Sequence, residues 1–135
     1  MRLHDLYRLY QDRVQFLAIY IREAHPKDGW WLGGGLMGRA LRISGSKAAF
    51  DVYDPKSMDE RKKVAQRFEQ ALEYRIPILV DEIDDPVNKT YAALPTRLYL
   101  INKIGIIVYA GGLGPFGFKP SELKLAIDQL LGEYE

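Results

Sequence analysis

The side chains that most often supply nucleophiles or metal ligands are scarce in this sequence. The 135 residues contain no cysteine and only two histidines, His4 and His25. Without cysteine, the chain has no disulfide, thiolate metal ligand, CxxC redox pair or cysteine nucleophile. Two imidazoles do not make a structural zinc site, so the sequence predicts neither a metal nor another cofactor. An imidazole titrates near pH ~6.5 and is suited to proton transfer at neutral pH.

One glycine-rich segment has the form of a phosphate-binding loop. Residues 33–38 read G-G-G-L-M-G and match the pattern G-x-G-x-x-G. In a dinucleotide site these glycines lie directly between a strand and a helix. Here they lie well beyond the nearest predicted strand and no helical pattern follows, so we interpret the segment as a surface loop.

The elements that position such residues alternate between helix and strand. Apolar spacing predicts a helix over residues 2–13. The apolar runs 16–21 and 76–80 are typical of strands buried on both faces. Two further runs, 97–101 and 106–109, are joined by a short glycine-containing turn and predict a β-hairpin.

Three more helices complete the predicted series of secondary-structure elements. A capping box from Ser57 to Glu60 begins the second helix, whose basic residues, Arg61 among them, we expect to face solvent. Its expected buried residues are Val64, Phe68, Ala71 and Leu72. A short helix is expected around 89–93, and Pro120 begins the last one. The order predicts an α/β fold in one domain, residues 1–135, with a mixed sheet flanked by helices.

The composition narrows the function classes. Nineteen Lys and Arg against eighteen Asp and Glu leave a net charge of +1, too small an excess to suggest nucleic-acid binding. The longest strongly apolar run, Phe16 to Ile21, is far shorter than the ~20 residues of a membrane span. We therefore expect a cytoplasmic protein with neither a nucleic acid nor a membrane as partner.

Five segments resemble, in the same order, motifs of the iodothyronine deiodinases and their microbial relatives. Residues Glu23 to Trp30 resemble E-A-H-P-x-D-G-W, and Ser57 to Arg61 resemble S-L-E-D-R. The other three are Pro77 to Asp81, which resembles P-V-V-V-D, Tyr91 to Tyr99, which resembles A-Y-G-A-x-P-E-R-L-Y, and residues 111–118, which resemble G-G-x-G-P-x-x-Y.

The resemblance implies a thioredoxin-like sandwich and a selenocysteine or cysteine nucleophile that removes iodide reductively. The family's nucleophile, with the strand before it, aligns just before Met1, so the chain is expected to lack its N-terminal part. The Leu94-Pro95-Thr96 segment looks like the cis-proline turn of that fold, and we expect a cis Leu94–Pro95 bond.

The resemblance also assigns candidate site residues. It places Glu23 and His25 in proton delivery beside the nucleophile, although the same pair would equally serve to close the end of a strand. Trp30, Pro95 and Thr96 are the candidate substrate-binding residues, and tryptophans after a turn also commonly cap a core.

At three positions the sequence departs from family residues that are expected to bind the thyroid hormone. Its histidine before S-L-E-D-R aligns with Pro55, the arginine of G-G-R-G-P with Leu113, and the acid of P-E-R-L-Y with Thr96. A small aromatic substrate is therefore expected rather than a thyroid hormone. The expected function is a deiodinase-like oxidoreductase domain that uses a thiol reductant in the full-length protein and is inactive as this chain. The alternatives are a non-catalytic thioredoxin-fold binding module and a peroxiredoxin-like reductase.

Loss of the strand before the nucleophile should affect how the rest of the sheet is paired. In the thioredoxin arrangement it lies between the strands at 16–21 and 97–101, whose backbone edges would otherwise be bare. We expect a homo-oligomer formed through a sheet edge, recruitment of residues 40–53 as a substitute strand, or low stability. Alternation of Ala48, Phe50 and Val52 makes 48–53 the best internal substitute.

Overall fold

The computed structural model describes residues 1–23, 53–72 and 75–132, and the described residues form four helices and four strands. In chain order these are α1 (Leu3–Tyr10), β1 (Ala18–Tyr20), α2 (Met58–Leu72), β2 (Ile78–Val80), α3 (Pro86–Tyr91), β3 (Tyr99–Ile101), β4 (Ile107–Ala110) and α4 (Pro120–Gly132). The α/β class is confirmed. The glycine-rich motif at 33–38 and nearly all of segment 40–53 lie outside the described residues.

The chain divides into two compact units. One comprises Met1–Phe16 with Lys89–Glu135, and the other Leu17–Asn88. The four described strands accordingly form two two-stranded sheets, a parallel pair in the second unit and an antiparallel pair in the first.

The first unit is built on the hairpin of β3 and β4. Tyr99 pairs with Ala110 and Leu100 with Tyr109, and a bulge follows. Gly105 has a φ of +86° in the turn, a conformation that glycine adopts without a Cβ penalty. Helix α4 packs on this hairpin and α1 packs on α4, and the buried core comprises Leu6, Tyr10, Leu98, Leu100, Leu123 and Ile127.

Helix α1 is shorter than the predicted 2–13. It ends at Tyr10, whose carbonyl accepts hydrogen bonds from the backbone N–H groups of Arg13 and Val14 in a closing turn. The Tyr10 hydroxyl donates to the Asp128 carboxylate on α4, and Lys124 donates to the same carboxylate at 2.5 Å. The bond from Tyr10 ties the C-terminal end of α1 to α4, whereas the bond from Lys124 lies within α4.

The second unit contains the parallel pair, in which Ile19 lies beside Leu79. The expectation that both strands are buried on both faces is wrong. Ile19 is 38% exposed and Leu79 54%, whereas their neighbours along each strand are half-buried. Successive side chains point to opposite faces, so one face packs inward, with Tyr20 against the ring of Phe68 on α2, and the other is open.

Candidate functional site

The candidate acid Glu23 lies just beyond the carboxyl end of β1. Tyr20, the last residue of that strand, donates its hydroxyl to Glu23 Oε2 at 2.8 Å. Burial raises the pKa of Tyr20 far above its ordinary value, and the negative charge of Glu23 raises it further. The phenol therefore stays protonated at every physiological pH and remains a donor to Glu23. His25 and Trp30 lie outside the described residues.

The end of β2 is joined to the end of β1 at the same edge of the parallel pair. The backbone N–H of Asp81 donates to the Tyr20 carbonyl at 2.8 Å, which continues the ladder by one residue. The carboxyl ends of parallel strands are where α/β proteins usually place their functional groups. Glu23 thus lies at the edge of the sheet where α/β proteins usually place catalytic or ligand-binding groups.

Asp81, at the end of β2, stabilises the backbone that follows it. It is 3% exposed, and its two carboxylate oxygens accept hydrogen bonds from the backbone N–H groups of Glu82, Val87 and Asn88. The bonds from Val87 and Asn88 satisfy backbone donors in the first turn of α3, which have no earlier helical carbonyl to pair with. These partners are backbone groups, so Asp81 fixes the loop after β2.

Arg61 holds the same loop from α2. Its Nη1 donates to Asp85 Oδ1 at 2.8 Å and to the carbonyl oxygens of Glu82 at 2.5 Å and Asp81 at 3.3 Å. Arg61 is 2% exposed, so the expectation that it faces solvent is wrong. A guanidinium is tolerated in such a position because a buried carboxylate and backbone carbonyls compensate for its lost hydration. The deiodinase-like segments 57–61 and 77–81 therefore meet for structural reasons.

Glu60 and Ser57 begin α2 as the capping-box prediction requires. Ser57 Oγ accepts from the Glu60 N–H at 3.3 Å, while the Glu60 carboxylate accepts from the N–H of Lys56 at 2.7 Å. The carboxylate thus reaches one residue further back than in the standard box. The side chains of Ala71 and Leu72 lie outside the described residues.

The other candidate residues belong to the first unit and lie on the turn that leads into β3. The Leu94–Pro95 bond is cis, as predicted, and so is Gly114–Pro115. Pro95 and Thr96 are both exposed. The Thr96 carbonyl accepts from the Gly114 N–H at 2.9 Å, which joins the two turns directly.

Side chains on either side strengthen this junction. Arg97 Nε donates to the Gly111 carbonyl at 2.7 Å, and the Arg97 guanidinium lies 5.3 Å from the centre of the Tyr99 ring. A Cβ at position 114 would lie 2.3 Å from Thr96 Cγ2, so any larger residue there would force the Thr96 side chain to shift. The segments 91–99 and 111–118 form one packed pair of turns that presents Pro95 and Thr96 to solvent.

Sequence patterns indicated no functional role for two residues of these networks. They place Tyr20 only within an apolar strand, although its position three residues before Glu23 favours contact across the strand end. Arg61 was placed on the solvent face, although it lies at three-, four- and seven-residue spacing from Val64, Ala65 and Phe68, a spacing that places it on their helix face.

Residues 1–23, 53–72 and 75–132 contain no group of three or more histidine, aspartate or glutamate side chains that could hold a metal ion. In those same stretches, no helix is both long and apolar enough to cross a membrane.

Comparison with known proteins identifies the family. The sequence model of the iodothyronine deiodinases matches residues 2–131, almost the whole chain. The chain belongs to the iodothyronine deiodinase family. The resemblance deduced from the five segments is thereby confirmed.

Three curated relatives with similar sequences are deiodinases of vertebrates. The chain is 35% identical over 131 residues to thyroxine 5-deiodinase of Gallus gallus, a match that covers 95% of this chain and 45% of that protein. It is 32% identical to thyroxine 5-deiodinase of Sparus aurata, with 89% and 39% covered. It is 33% identical to type I iodothyronine deiodinase of Xenopus laevis, with 86% and 40% covered. The chain therefore spans less than half the length of these relatives.

Proposed function

We propose that these residues belong to a thioredoxin-like oxidoreductase that performs reductive dehalogenation, or a related thiol or selenol reaction, on a small aromatic substrate. Family membership supports the redox chemistry. A parallel strand pair, an antiparallel hairpin and a cis proline before that hairpin are the pieces expected of a thioredoxin-like sandwich. We propose further that residues 1–135 act as one domain in the cytoplasm.

The hydrogen bond from Tyr20 to Glu23 is the observation that carries the proposed mechanism. Reductive dehalogenation replaces a carbon–iodine bond by a carbon–hydrogen bond, so a proton must reach that carbon. Two electrons come from the nucleophile, and a thiol reductant then returns them to it. Tyr20 fixes the Glu23 carboxylate, and the imidazole of His25, two residues further on in the sequence, relays the proton.

The nucleophile has to come from outside these 135 residues. They contain no cysteine, and serine or threonine hydroxyls are poor substitutes for a thiolate at neutral pH. We propose that an in-frame selenocysteine or cysteine codon lies upstream of Met1. The 135-residue chain alone is then inactive.

The proposed substrate is a small aromatic compound rather than a thyroid hormone. Pro55, where the family has a histidine, is buried and has no side-chain polar group. Leu113, where the family often has an arginine, is 48% exposed and uncharged. Together with Thr96 in place of an acid, these changes remove three polar partners of a hormone. Trp30, Pro95 and Thr96 are the proposed substrate contacts.

The test uses the protein produced together with its upstream coding segment. Thiol-dependent iodide release from a small iodinated aromatic compound should fall about 100-fold in Glu23→Gln, the scale of a lost general acid or base. Glu69→Gln, an exposed acid on α2, is the matched control and should keep full activity. Equal activity of the two variants would remove Glu23 from the mechanism.

A non-catalytic binding module is the second candidate, because the chain contains no thiol or selenol nucleophile. The upstream DNA separates the two functions. An in-frame TGA or cysteine codon preceded by a strand-coding stretch supports the enzyme, whereas its absence supports the binding module. Peroxide consumption without iodide release by the longer protein would instead indicate the peroxiredoxin-like alternative.

A further inference from the structure

Phe116 is the most exposed of the large apolar side chains that the structure describes. It is 92% exposed and lies in the turn formed by residues 114–117. A phenyl ring in this position adds no buried area to the core, whereas aromatic rings contribute strongly wherever a ligand or another surface covers them. Single exposed apolar residues are common on proteins, so the exposure indicates a site only together with further observations.

The loop that carries Phe116 is closed by contact between its own backbone segments. A Cβ on Gly117 would clash with the carbonyl carbon of Gly112, and a Cβ on Gly112 would lie 3.1 Å from the Cα of Gly117. The N–H of Gly117 also donates to the Leu113 carbonyl at 2.8 Å. These contacts fix both ends of the loop, so Phe116 is presented on a closely packed turn. Such preorganisation lowers the entropy that is lost when a ligand binds.

The same loop is joined to two of the proposed substrate contacts, Pro95 and Thr96. The N–H of Gly114 donates to the Thr96 carbonyl at 2.9 Å, and the Thr96 side chain packs directly against position 114. Pro95 and Thr96 are exposed, and so is Phe116, two residues after Gly114. Two neighbouring turns therefore present these three side chains to solvent within the first unit.

The sequence around this turn is uncharged. Residues 104–118 include no Asp, Glu, Lys, Arg or His. The adjoining cations already have partners, because Lys119 donates to the Glu122 carboxylate at 2.8 Å and Arg97 to the Gly111 carbonyl at 2.7 Å. An anionic group on a ligand would lose hydration here without gaining a counter-charge, which is unfavourable. The turn is therefore suited to an uncharged, apolar part of a ligand.

We propose that Phe116 is a specificity-determining residue, whose ring packs on the aromatic ring of the substrate and favours rings that bear no charged group. Leu113, which is 48% exposed on the same loop, adds apolar surface beside it. Pro95 and Thr96 contact the same substrate from the neighbouring turn. Offset-stacked or edge-to-face rings gain free energy beyond the area that they bury. The inference rests on the proposed function, because that function supplies the small aromatic substrate.

Steady-state kinetics of the longer protein, which includes the proposed upstream nucleophile, test this role. With the neutral substrate 4-iodobenzamide, Phe116→Ala should raise KM about tenfold and leave kcat unchanged, because the ring contact is equal in the ground and transition states. Phe116→Trp retains an aromatic face and should keep the KM of the unaltered protein. Ile104→Ala is the matched control, since Ile104 is 78% exposed in the β3–β4 turn, and it should change neither constant. The carboxylate 4-iodobenzoate should have a kcat/KM about tenfold below that of the amide, and equal values would refute the charge preference.

Binding to the 135-residue chain separates this inference from the proposed function. Ligand-observed NMR titration gives the Kd of 4-iodobenzamide without turnover, and the Kd should rise about tenfold in Phe116→Ala but stay unchanged in Ile104→Ala. Thermal unfolding of both variants should match the unaltered chain, because both side chains are exposed. This binding result, together with no iodide release by the longer protein, would refute the proposed function and support the role of Phe116. No binding by the unaltered chain, an unchanged Kd in Phe116→Ala, or an equal rise in Ile104→Ala overturns the inference.

Discussion

Replacing Arg61 by methionine tests how the loop after β2 is held. Methionine keeps much of the side-chain volume but removes the ion pair to Asp85 and the hydrogen bonds to the carbonyls of Asp81 and Glu82. Asp85 is 8% exposed, so its carboxylate would remain buried without its cation. Breaking a buried pair from one side typically costs about 3–5 kcal/mol. That is a large part of the roughly 5–15 kcal/mol that stabilises a domain.

Urea unfolding of three variants measures this effect. Arg61→Met should lose about 3–5 kcal/mol of unfolding free energy. Arg67→Met, an exposed position on α2, should lose under about 0.5 kcal/mol. Adding Asp85→Asn to Arg61→Met should restore part of the loss because it removes the stranded charge. Asparagine suits the φ of +60° at this position. A loss at Arg61 no larger than at Arg67, or no recovery in the double variant, would refute a buried ion pair.

Two more substitutions test the first unit. Gly114→Ala should destabilise by about 1–3 kcal/mol, because its Cβ would meet Thr96 Cγ2 at 2.3 Å. Thr96→Ser removes that methyl group and should recover most of the loss, whereas Gly132→Ala has no neighbour within 4 Å and should be neutral in thermal unfolding. The hydrogen bond from Lys124 lowers the pKa of Asp128, so this carboxylate stabilises the fold above its unfolded-state pKa and stops doing so as pH falls through its folded pKa. The difference in Tm between the unaltered chain and Asp128→Asn should therefore be present near pH ~6 and should shrink as the pH falls below ~3.9, the ordinary pKa of an aspartate; a constant difference would contradict it.

The parts of the fold that sequence predicted best are those with strong local signals. The hairpin has a glycine where its turn needs a positive φ, and α4 begins at Pro120 as expected. The cis Leu94–Pro95 bond was predicted through the family resemblance rather than through local chemistry.

The errors arose where local patterns depend on tertiary partners. An apolar run does not reveal how many of its faces are covered, and Ile19 and Leu79 are open on one face. A basic residue in a charged helix is usually solvated, but Asp85 provides Arg61 with a buried partner twenty-four residues away along the chain. Glu23 is a candidate because of its motif, whereas its contact with Tyr20 depends on how the strand end is packed.

Thiol-dependent iodide release tests the central claim, which is that this domain supplies proton delivery and substrate contacts to a nucleophile located outside it. The assay compares the purified 135-residue chain with a longer protein that includes the selenocysteine or cysteine proposed to lie upstream. The extended protein should turn over a small iodinated aromatic substrate, and the 135-residue chain should release no iodide. Turnover by the 135-residue chain, after contaminating enzymes are excluded, or none by the extended protein, would contradict the claim.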